Sequence, residues 1–318
     1  MWSRIPATSP IWMRRLAILS LIGQAGIMVT GAVVRVTGSG LGCPTWPNCF
    51  PGSLVPEPHP EIAALTQWVE FGNRLLAVFL TVVAAITFLA ALNTRPRRAR
   101  LTWLALAMPL GVVAQAVIGG FTVLAGLAWW SVMPHFLAST ILVWLAVELV
   151  DEATAGGPVT RTVPRAVRGL TVLASVVLGG LLIAGTLVTA AGPHAGDSAT
   201  PRLDVPVTLL AQVHADLLFA YLGLTAGLGF ALWAVGAPTR LKRRFSVLVV
   251  VVLAQGALGG IQYSLGVPEV LVALHVLGAA LTTAAAASVW AGTSDRAPAP
   301  ISTSVPAADA DHPNPVRA

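Results

Sequence analysis

Charged side chains are scarce in this chain of 318 residues, since Asp, Glu, Lys and Arg make up 10% of it and hydrophobic residues 56%. Too few polar groups remain to cover a water-soluble globule of this size, and the mean hydropathy of +0.79 also excludes that class. Apolar runs long enough to cross a hydrocarbon core of about 30 Å recur along the chain. We predict eight membrane spans, near residues 16–36, 67–92, 101–124, 132–150, 169–190, 207–235, 246–263 and 270–291.

The first apolar run lacks a small-residue cleavage site, so we interpret it as a retained span and not as a removed signal peptide. The net charge of +6 does not indicate a nucleic-acid partner, because the basic residues follow the positive-inside rule. Sixteen of the nineteen Lys and Arg lie in segments that one orientation places in the cytoplasm: Arg4, Arg14, Arg15, Arg95, Arg97, Arg98, Arg100, Arg161, Arg165, Arg168, Arg240, Lys242, Arg243, Arg244, Arg296 and Arg317. We therefore expect a plasma-membrane protein in a lipid bilayer with both termini cytoplasmic. Arg35, Arg74 and Arg202 are left at or near the outer face.

The two halves of the chain resemble each other at a fixed offset, which indicates a duplicated architecture. An offset of 140 aligns Ala114, Gln115, Gly119, Gly120 and His135 with Ala254, Gln255, Gly259, Gly260 and His275. An offset of 154 aligns Gly31 and Gly38 with Gly185 and Gly192. Four spans per half is an even number, so the halves share one orientation. The paired glycines are also compatible with close helix packing alone.

The predicted fold is an all-α integral membrane protein, with eight transmembrane helices arranged as two tandem pseudo-symmetric four-helix bundles. Each bundle is expected to hold a site inside it. The expected segments are a cytoplasmic N-terminus at 1–15, a first bundle at 16–150 with an outer loop at 37–66, a cytoplasmic linker at 151–168, a second bundle at 169–291 and a disordered cytoplasmic tail at 292–318.

Three histidines lie just inside the outer ends of predicted spans, at one common depth. Ionisable residues inside spans are costly and tend to mark function. His135 begins the fourth span, whereas His214 and His275 belong to different helices of the second bundle and can approach one metal from opposite sides. Imidazole binds several metals, but with Asp216 as the only carboxylate at that depth the pair favours a bis-histidine heme over a closed zinc site. The alternative for each histidine is a hydrogen bond to a neighbouring helix.

The first half breaks the symmetry, because Asn73 occupies the position that matches His214 at an offset of 141. Asn is a poor iron ligand. Glu70, Asn73 and Arg74 share one helix face, since they are spaced i, i+3 and i+4. Glu70 can serve in proton transfer, and Arg74 can bind a carboxylate such as a heme propionate. An internal Glu70–Arg74 ion pair that only packs the helix is the alternative.

The two cysteines, Cys43 and Cys49, lie in the predicted outer loop. That compartment is oxidising, so a disulfide is their expected state. Its place in the same outer layer as the histidines leaves two interpretations open. The bridge is either purely structural or takes part in redox chemistry, since exposed or strained disulfides are the labile ones.

The stretch 31–49, GAVVRVTGSGLGCPTWPNC, resembles the signature of the heme A synthases, and 192–197, GPHAGD, resembles its counterpart in the second half. The resemblance extends over all eight spans, from about 16 to 291. It implies oxidation of the C8 methyl of heme O to the formyl group of heme A, for use by cytochrome c oxidase. It also implies a heme b cofactor in the second half, with His214 and His275 as axial ligands, and substrate heme in the first half.

The resemblance also implies roles for single residues. The positions that match the family's functional residues are Glu70, His135, His214, His275, Cys43 and Cys49. Glu70 would be catalytic, and His135 would bind the substrate iron, with Arg74 and Asn73 as further substrate contacts. Asn73 departs from the family's Glu-x-x-His-Arg pattern. If the first half nevertheless holds a bis-histidine heme, His59 or His194 must supply the second ligand.

The implied partners are heme O as substrate, heme O synthase (protoheme farnesyltransferase) and a membrane electron carrier, with a homo-oligomer left open. Two other functions suit a duplicated membrane bundle: a diheme b-type membrane quinol oxidoreductase and a heme transporter. The shallow histidines and the lack of broken midspan helices argue against transport.

Overall fold

The computed structural model describes residues 6–154 and 159–296. Within these residues the chain forms eight α-helices: α1 (Pro10–Val36), α2 (Ala64–Leu92), α3 (Ala99–Leu124), α4 (Trp129–Thr154), α5 (Arg165–Ala191), α6 (Val207–Ala234), α7 (Thr239–Ser264) and α8 (Glu269–Gly292). Each helix is long and apolar enough to cross a membrane. The chain is therefore a multi-pass membrane protein, and the predicted all-α fold is confirmed.

The helices begin at signals that the sequence carries. Ser9 accepts a hydrogen bond from the backbone N–H of Trp12, and Pro10 occupies the first turn, so α1 starts at Pro10 and not at 16. The prediction began at 16 because Arg14 and Arg15 interrupt the apolar run, whereas the helix itself includes both residues. Prolines occupy the N-cap positions of the second half, namely Pro164, Pro206, Pro238 and Pro268.

The internal repeat is visible in the helix bounds and in the turns. Helix α7 begins and ends 140 positions after α3, and α8 begins 140 positions after α4. In both helical hairpins a glycine and the residue after it have positive φ: Gly126 and Leu127 at 61° and 58°, Gly266 and Val267 at 75° and 63°. A bulky residue rarely adopts this conformation, so its recurrence shows that the two turns share one backbone path.

The two bundles differ in how tightly they close. In the first bundle, α1 and α3 each pack closely against both α2 and α4. In the second bundle, α5 packs closely on α6 and α7 on α8, while the α6–α7 and α5–α8 contacts are sparser. The halves meet through α1, α4, α5 and α8, with Met28, Val143 and Ala280 buried between them. This arrangement is the predicted pair of four-helix bundles.

Consecutive helices run in opposite directions, so all their ends lie at two opposite faces of the molecule. We call the side where α1 begins and α8 ends the terminal face, and the side of the connections 37–63 and 192–206 the loop face. On the terminal face, β1 (Val159–Arg161) pairs with β2 (Ser294–Arg296) as a short antiparallel sheet. The predicted tail thus begins with a strand that pairs with the linker, and from 297 onward it lies outside the described residues.

Candidate functional site

His214 of α6 and His275 of α8 face each other near the loop face. Their ring centroids are 6.4 Å apart and their planes are inclined by 65°. Two bonds of about 2 Å from imidazole nitrogens to one metal, plus the ring radii, require a separation of about 6 Å between centroids. The spacing of the two rings therefore suits a single metal ion held between them.

A hydrogen bond fixes the orientation of the His214 ring. Its Nδ1 lies 3.0 Å from the backbone carbonyl oxygen of Leu181. A carbonyl can only accept, so Nδ1 carries the proton and Nε2 keeps a lone pair, as in metal-binding histidines. The Nδ1 atom of His275 is buried without a hydrogen-bond partner among the described residues. The Gln255 side chain donates to the backbone carbonyl of His275 at 2.9 Å and anchors that turn.

Three imidazoles lie directly against glycines of a neighbouring helix. A Cβ atom added to the glycine would lie 3.0 to 3.1 Å from the Cε1 atom of the ring. The pairs are Gly119 with His135, Gly185 with His214, and Gly259 with His275. Any larger residue would push the ring away, so these glycines determine where the imidazoles lie. The repeat predicted the glycines, whereas their contact with the histidines required the structure.

The first bundle has only one imidazole at the equivalent place. His135 of α4 is anchored as His275 is, because Gln115 donates to its backbone carbonyl at 3.0 Å. On α2, the Oδ1 atom of Asn73 accepts a hydrogen bond of 2.7 Å from the Thr30 hydroxyl. Gly31, the repeat counterpart of the glycine beside His214, has open space where a ring would lie. The space for a second ring is present, but the histidine is replaced.

The other candidate ligands are engaged elsewhere. His194 bonds through Nε2 to the carbonyl of Val267 at 2.8 Å. His59 accepts from the N–H of Glu61 and stacks on a phenylalanine of the loop. Asp216 accepts from Gln212 on its own helix. Within residues 6–154 and 159–296, no three His, Cys, Asp or Glu side chains form a metal-binding group.

Glu70 connects α2 to the disulfide loop. Its Oε2 accepts from the backbone N–H of Cys43 at 2.7 Å, and its Oε1 accepts from Arg74 at 2.6 Å. The residue is only 5% exposed. Cys43 and Cys49 form the predicted disulfide, which is fully buried. The predicted ion pair is therefore part of a hydrogen-bond network, in which the buried carboxylate of Glu70 also binds the backbone at the disulfide.

Arg74 holds the same loop by its carbonyls. Its guanidinium donates to Cys43 at 2.9 Å, Thr45 at 3.0 Å and Asn48 at 3.1 Å, in addition to Glu70. The loop lies so close to α2 that a Cβ atom on Gly42 would collide with the helix backbone. Both Nη atoms of Arg74 therefore donate to the loop, and Nη2 also donates to Glu70.

Arg35 joins the two halves at the loop face. Its Nε donates to the carbonyl of His194 at 2.5 Å, and its Nη2 donates to that of Thr189 at 3.2 Å. The N–H of Gly40 donates to the carbonyl of Gly196 at 2.9 Å. The glycine-rich stretches of the two halves therefore touch. Sequence reasoning missed this contact, although Arg35, one of the three basic residues outside the positive-inside pattern, was the signal for it.

Comparison with known proteins places these residues in a family. The sequence profile of the COX15-CtaA family, described as cytochrome oxidase assembly protein, matches residues 14–200, more than half of the chain. A heme A synthase of Shouchella clausii is 28% identical over 116 residues, 36% of this chain and 36% of that protein.

Two further relatives carry the same name. A heme A synthase of Alkalihalophilus pseudofirmus is 28% identical over 160 residues, 49% of this chain and 52% of that protein. One from Bacillus pumilus is 30% identical over 146 residues, 45% of this chain and 46% of the relative. The chain spans about a third to a half of the length of these curated relatives.

Proposed function

The chain belongs to the COX15-CtaA family of cytochrome oxidase assembly proteins, and we propose from this premise that it is an enzyme that makes heme A. The proposed reaction oxidises the C8 methyl of heme O to a formyl group, for use by cytochrome c oxidase. The observation that carries the proposal is the asymmetry of the repeat. One bundle presents two facing imidazoles, and the other presents one imidazole together with a buried carboxylate and a disulfide. Relatives named heme A synthase support it.

In this proposal His214 and His275 would hold heme b in the second bundle by binding its iron. The 6.4 Å between ring centroids, the proton on Nδ1 of His214 and the glycines behind both rings fit a bis-histidine heme. The sparser contacts between α6 and α7 and between α5 and α8 fit a flat group lying between two helix pairs. When bound, heme b supplies electron transfer between the first bundle and an external carrier.

The first bundle would hold heme O, with His135 as the ligand to the substrate iron. Asn73, held by Thr30, lies in the position opposite and would contact substrate without supplying an imidazole. We assign Arg74 primarily to positioning the disulfide loop over this bundle, because its Nη atoms donate to loop carbonyls. That loop would cover the substrate and shield it from bulk solvent.

Glu70 is the proposed catalytic residue. Two successive oxidations of the methyl group, through an alcohol, take their oxygen atom from water. They release electrons, which pass to the external carrier, and protons, which a buried carboxylate in the same layer can accept. The N–H of Cys43 and the guanidinium of Arg74 hold its two oxygens in place. A change in the protonation of Glu70 would therefore alter the hydrogen bond that joins it to the loop that carries the disulfide.

The proposed setting is the plasma membrane, with the terminal face in the cytoplasm and the loop face outside. The basic residues support it, because the positive-inside rule places them at the terminal face. Residues 16–150 and 169–291 would then act as substrate and cofactor halves. Heme O synthase would supply the substrate, and a membrane electron carrier would take up electrons.

Neither alternative function gains support from the structure. A diheme b-type quinol oxidoreductase needs a second histidine pair, whereas the first bundle offers His135 alone and His59 and His194 are bound elsewhere. A heme transporter of the broken-helix kind needs helices interrupted at midspan, whereas α1 to α8 run continuously.

The proposal is tested by expressing the chain with a heme O synthase in a host that makes no heme A. Pigments are extracted and separated by chromatography with mass detection. We expect heme A to accumulate only when both proteins are present. Heme O that stays unmodified, whether or not it changes compartment, would refute the synthase.

A further inference from the structure

A cavity lined by arginines lies at the terminal face, far from the histidines. It is formed by the beginning of α7 and the end of α8 and has a volume of about 540 Å³. Its lining residues are Thr239, Arg240, Arg243, Arg244, Val247, Ala285 and Ser288. Three guanidiniums around one cavity indicate an anionic ligand, and nothing in the proposed heme chemistry uses them.

The repeat provides an internal comparison for this cavity. At the offset of 140 the matched positions are Arg100 with Arg240, Glu148 with Ser288, and Glu152 with Gly292. In the first bundle Arg100 is neutralised by α4, through an ion pair with Glu148 and another of 3.3 Å with Glu152. In the second bundle α8 offers neither carboxylate. The second half thus has the matching arginine but neither of the acidic residues that balance it in the first half.

The second bundle also differs by gaining positive charge and space. At the same offset the matched positions are Trp103 with Arg243, Leu104 with Arg244, and Leu145 with Ala285. Two apolar side chains are thus replaced by guanidiniums, and a leucine by an alanine that lines the cavity. Together these three differences add positive charge and free space at the same cavity.

The carboxylates that remain nearby do not balance the arginines. Arg240 and Arg244 both bind the same oxygen of Asp151, which comes from α4 of the first bundle, and Arg240 also lies 3.5 Å from Asp295. Arg243 is exposed and makes no ion pair within the described residues. Among the described residues, two carboxylates therefore face three guanidiniums, which leaves an excess of positive charge at the cavity.

The surroundings favour an amphipathic anion. Val247 lines the cavity and is 57% exposed, and Val250, one turn deeper on α7, is 67% exposed. These valines form an exposed apolar surface that extends from the arginines toward the middle of α7. Acyl chains would lie along this surface. The orientation proposed above places this face at the cytoplasmic leaflet, which carries anionic lipids. Guanidinium groups bind phosphate oxygens in a planar, bidentate manner.

We propose that this cavity binds the phosphodiester headgroup of an anionic phospholipid. The arginines of α7 bind the phosphate, Ala285 leaves room for it, and the acyl chains lie along the exposed face of α7. Because Asp151 reaches the same arginines from α4, the bound lipid lies where the two halves of the molecule meet.

The test uses the full chain in detergent and native mass spectrometry, titrated separately with phosphatidylglycerol, phosphatidylcholine and inorganic phosphate. The main variant is Arg243→Gln, which removes an exposed charge without breaking an ion pair. A second variant, Ala285→Leu, restores the residue of the first bundle and fills the cavity without changing the charge. The control is Arg165→Gln, which removes an exposed arginine at the start of α5. Thermal melting of all variants shows that they are folded.

We expect the wild type to bind phosphatidylglycerol and not phosphatidylcholine. Arg243→Gln should weaken this binding about five-fold, the factor equivalent to about 1 kcal/mol for one basic residue at a membrane surface. Ala285→Leu should weaken it at least as much, and Arg165→Gln should leave it unchanged. Equal affinities for wild type and Arg243→Gln, or equal weakening by Arg165→Gln, would overturn the site. Binding of inorganic phosphate as tight as that of phosphatidylglycerol would overturn the lipid as its ligand.

Discussion

At the scale of single residues, the two bundles differ most where a ligand would bind. The second bundle has His214 against Gly185, and the first has Asn73 with open space beside Gly31. Glu70 has a buried position and two donors that hold its oxygens, one of them from the disulfide loop. In the proposed function these differences give the two halves different roles, because the facing imidazoles of one half would hold a metal and the buried carboxylate of the other would exchange protons.

Replacing Glu70 separates catalysis from cofactor binding. In Glu70→Gln the amide keeps an oxygen for one donor but accepts no proton, so formation of heme A should fall roughly a hundredfold or more. The heme b spectrum should stay unchanged, because Glu70 lies in the other bundle. Pigment extracts and optical spectra report the two properties. The control is Glu61→Gln, which changes an exposed carboxylate in the connection before α2. Joint loss of both properties in Glu70→Gln would indicate a folding role instead.

Restoring the missing imidazole should change the first bundle. In Asn73→His the new ring can occupy the space beside Gly31, as His214 does beside Gly185. Heme bound in the first half should then shift from a high-spin or mixed species toward a six-coordinate low-spin one. Electron paramagnetic resonance in a His214→Ala background measures this shift. If the unmodified first half is already low-spin, the alignment of Asn73 with His214 is wrong.

At the scale of helices and loops, the sequence predicted the repeated helices but not the contacts between a loop and a helix. The gap-free offset of 140 gave the paired hairpins, and the i, i+4 spacing gave the Glu70–Arg74 ion pair. The bonds from Arg74 to the carbonyls of Cys43, Thr45 and Asn48 were not predictable. Helical spacing fixes which residues share a face, whereas the path of a loop depends on tertiary contacts.

The packing of α7 on α8 positions a proposed heme ligand. In Gly259→Ala the new methyl would meet the His275 ring, so we expect heme retention to fall at least five-fold, as for overpacking that costs about 1–3 kcal/mol. The adjacent Gly260→Ala is a matched control, because a Cβ atom there meets open space. The ratio of heme to protein after purification measures the effect. Equal losses in both variants would mean that the ring contact is unimportant.

The loop between α1 and α2 should owe its order to Arg74. Arg74→Gln removes up to four hydrogen bonds at once, so amide hydrogen exchange across 43–49 should quicken about tenfold or more while the disulfide persists. Mass spectrometry of non-reduced peptides reports both properties. Arg202→Gln is the control from the other connection at the loop face. Unchanged exchange in Arg74→Gln would show that the disulfide alone orders the loop.

At the scale of the whole molecule, contacts on both faces join the halves. Arg35 binds the second half at the loop face, and Asp151 binds Arg240 and Arg244 at the terminal face. The sequence predicted two bundles but not this interface. An internal repeat shows which residues take equivalent positions within the two halves. It does not show which residues of one half contact the other half. The proposed function therefore depends on a division between the halves, with cofactor heme in the second and substrate heme in the first.

The optical spectrum of purified His214→Ala and His275→Ala proteins tests this division most directly. Either change removes one of the two facing imidazoles, so we predict that the reduced-minus-oxidised bands of low-spin heme b disappear from both variants. His194→Ala, whose ring binds a backbone carbonyl, and His135→Ala, from the first bundle, should retain those bands. Bands like those of the wild type in both His214→Ala and His275→Ala would contradict the proposed cofactor site.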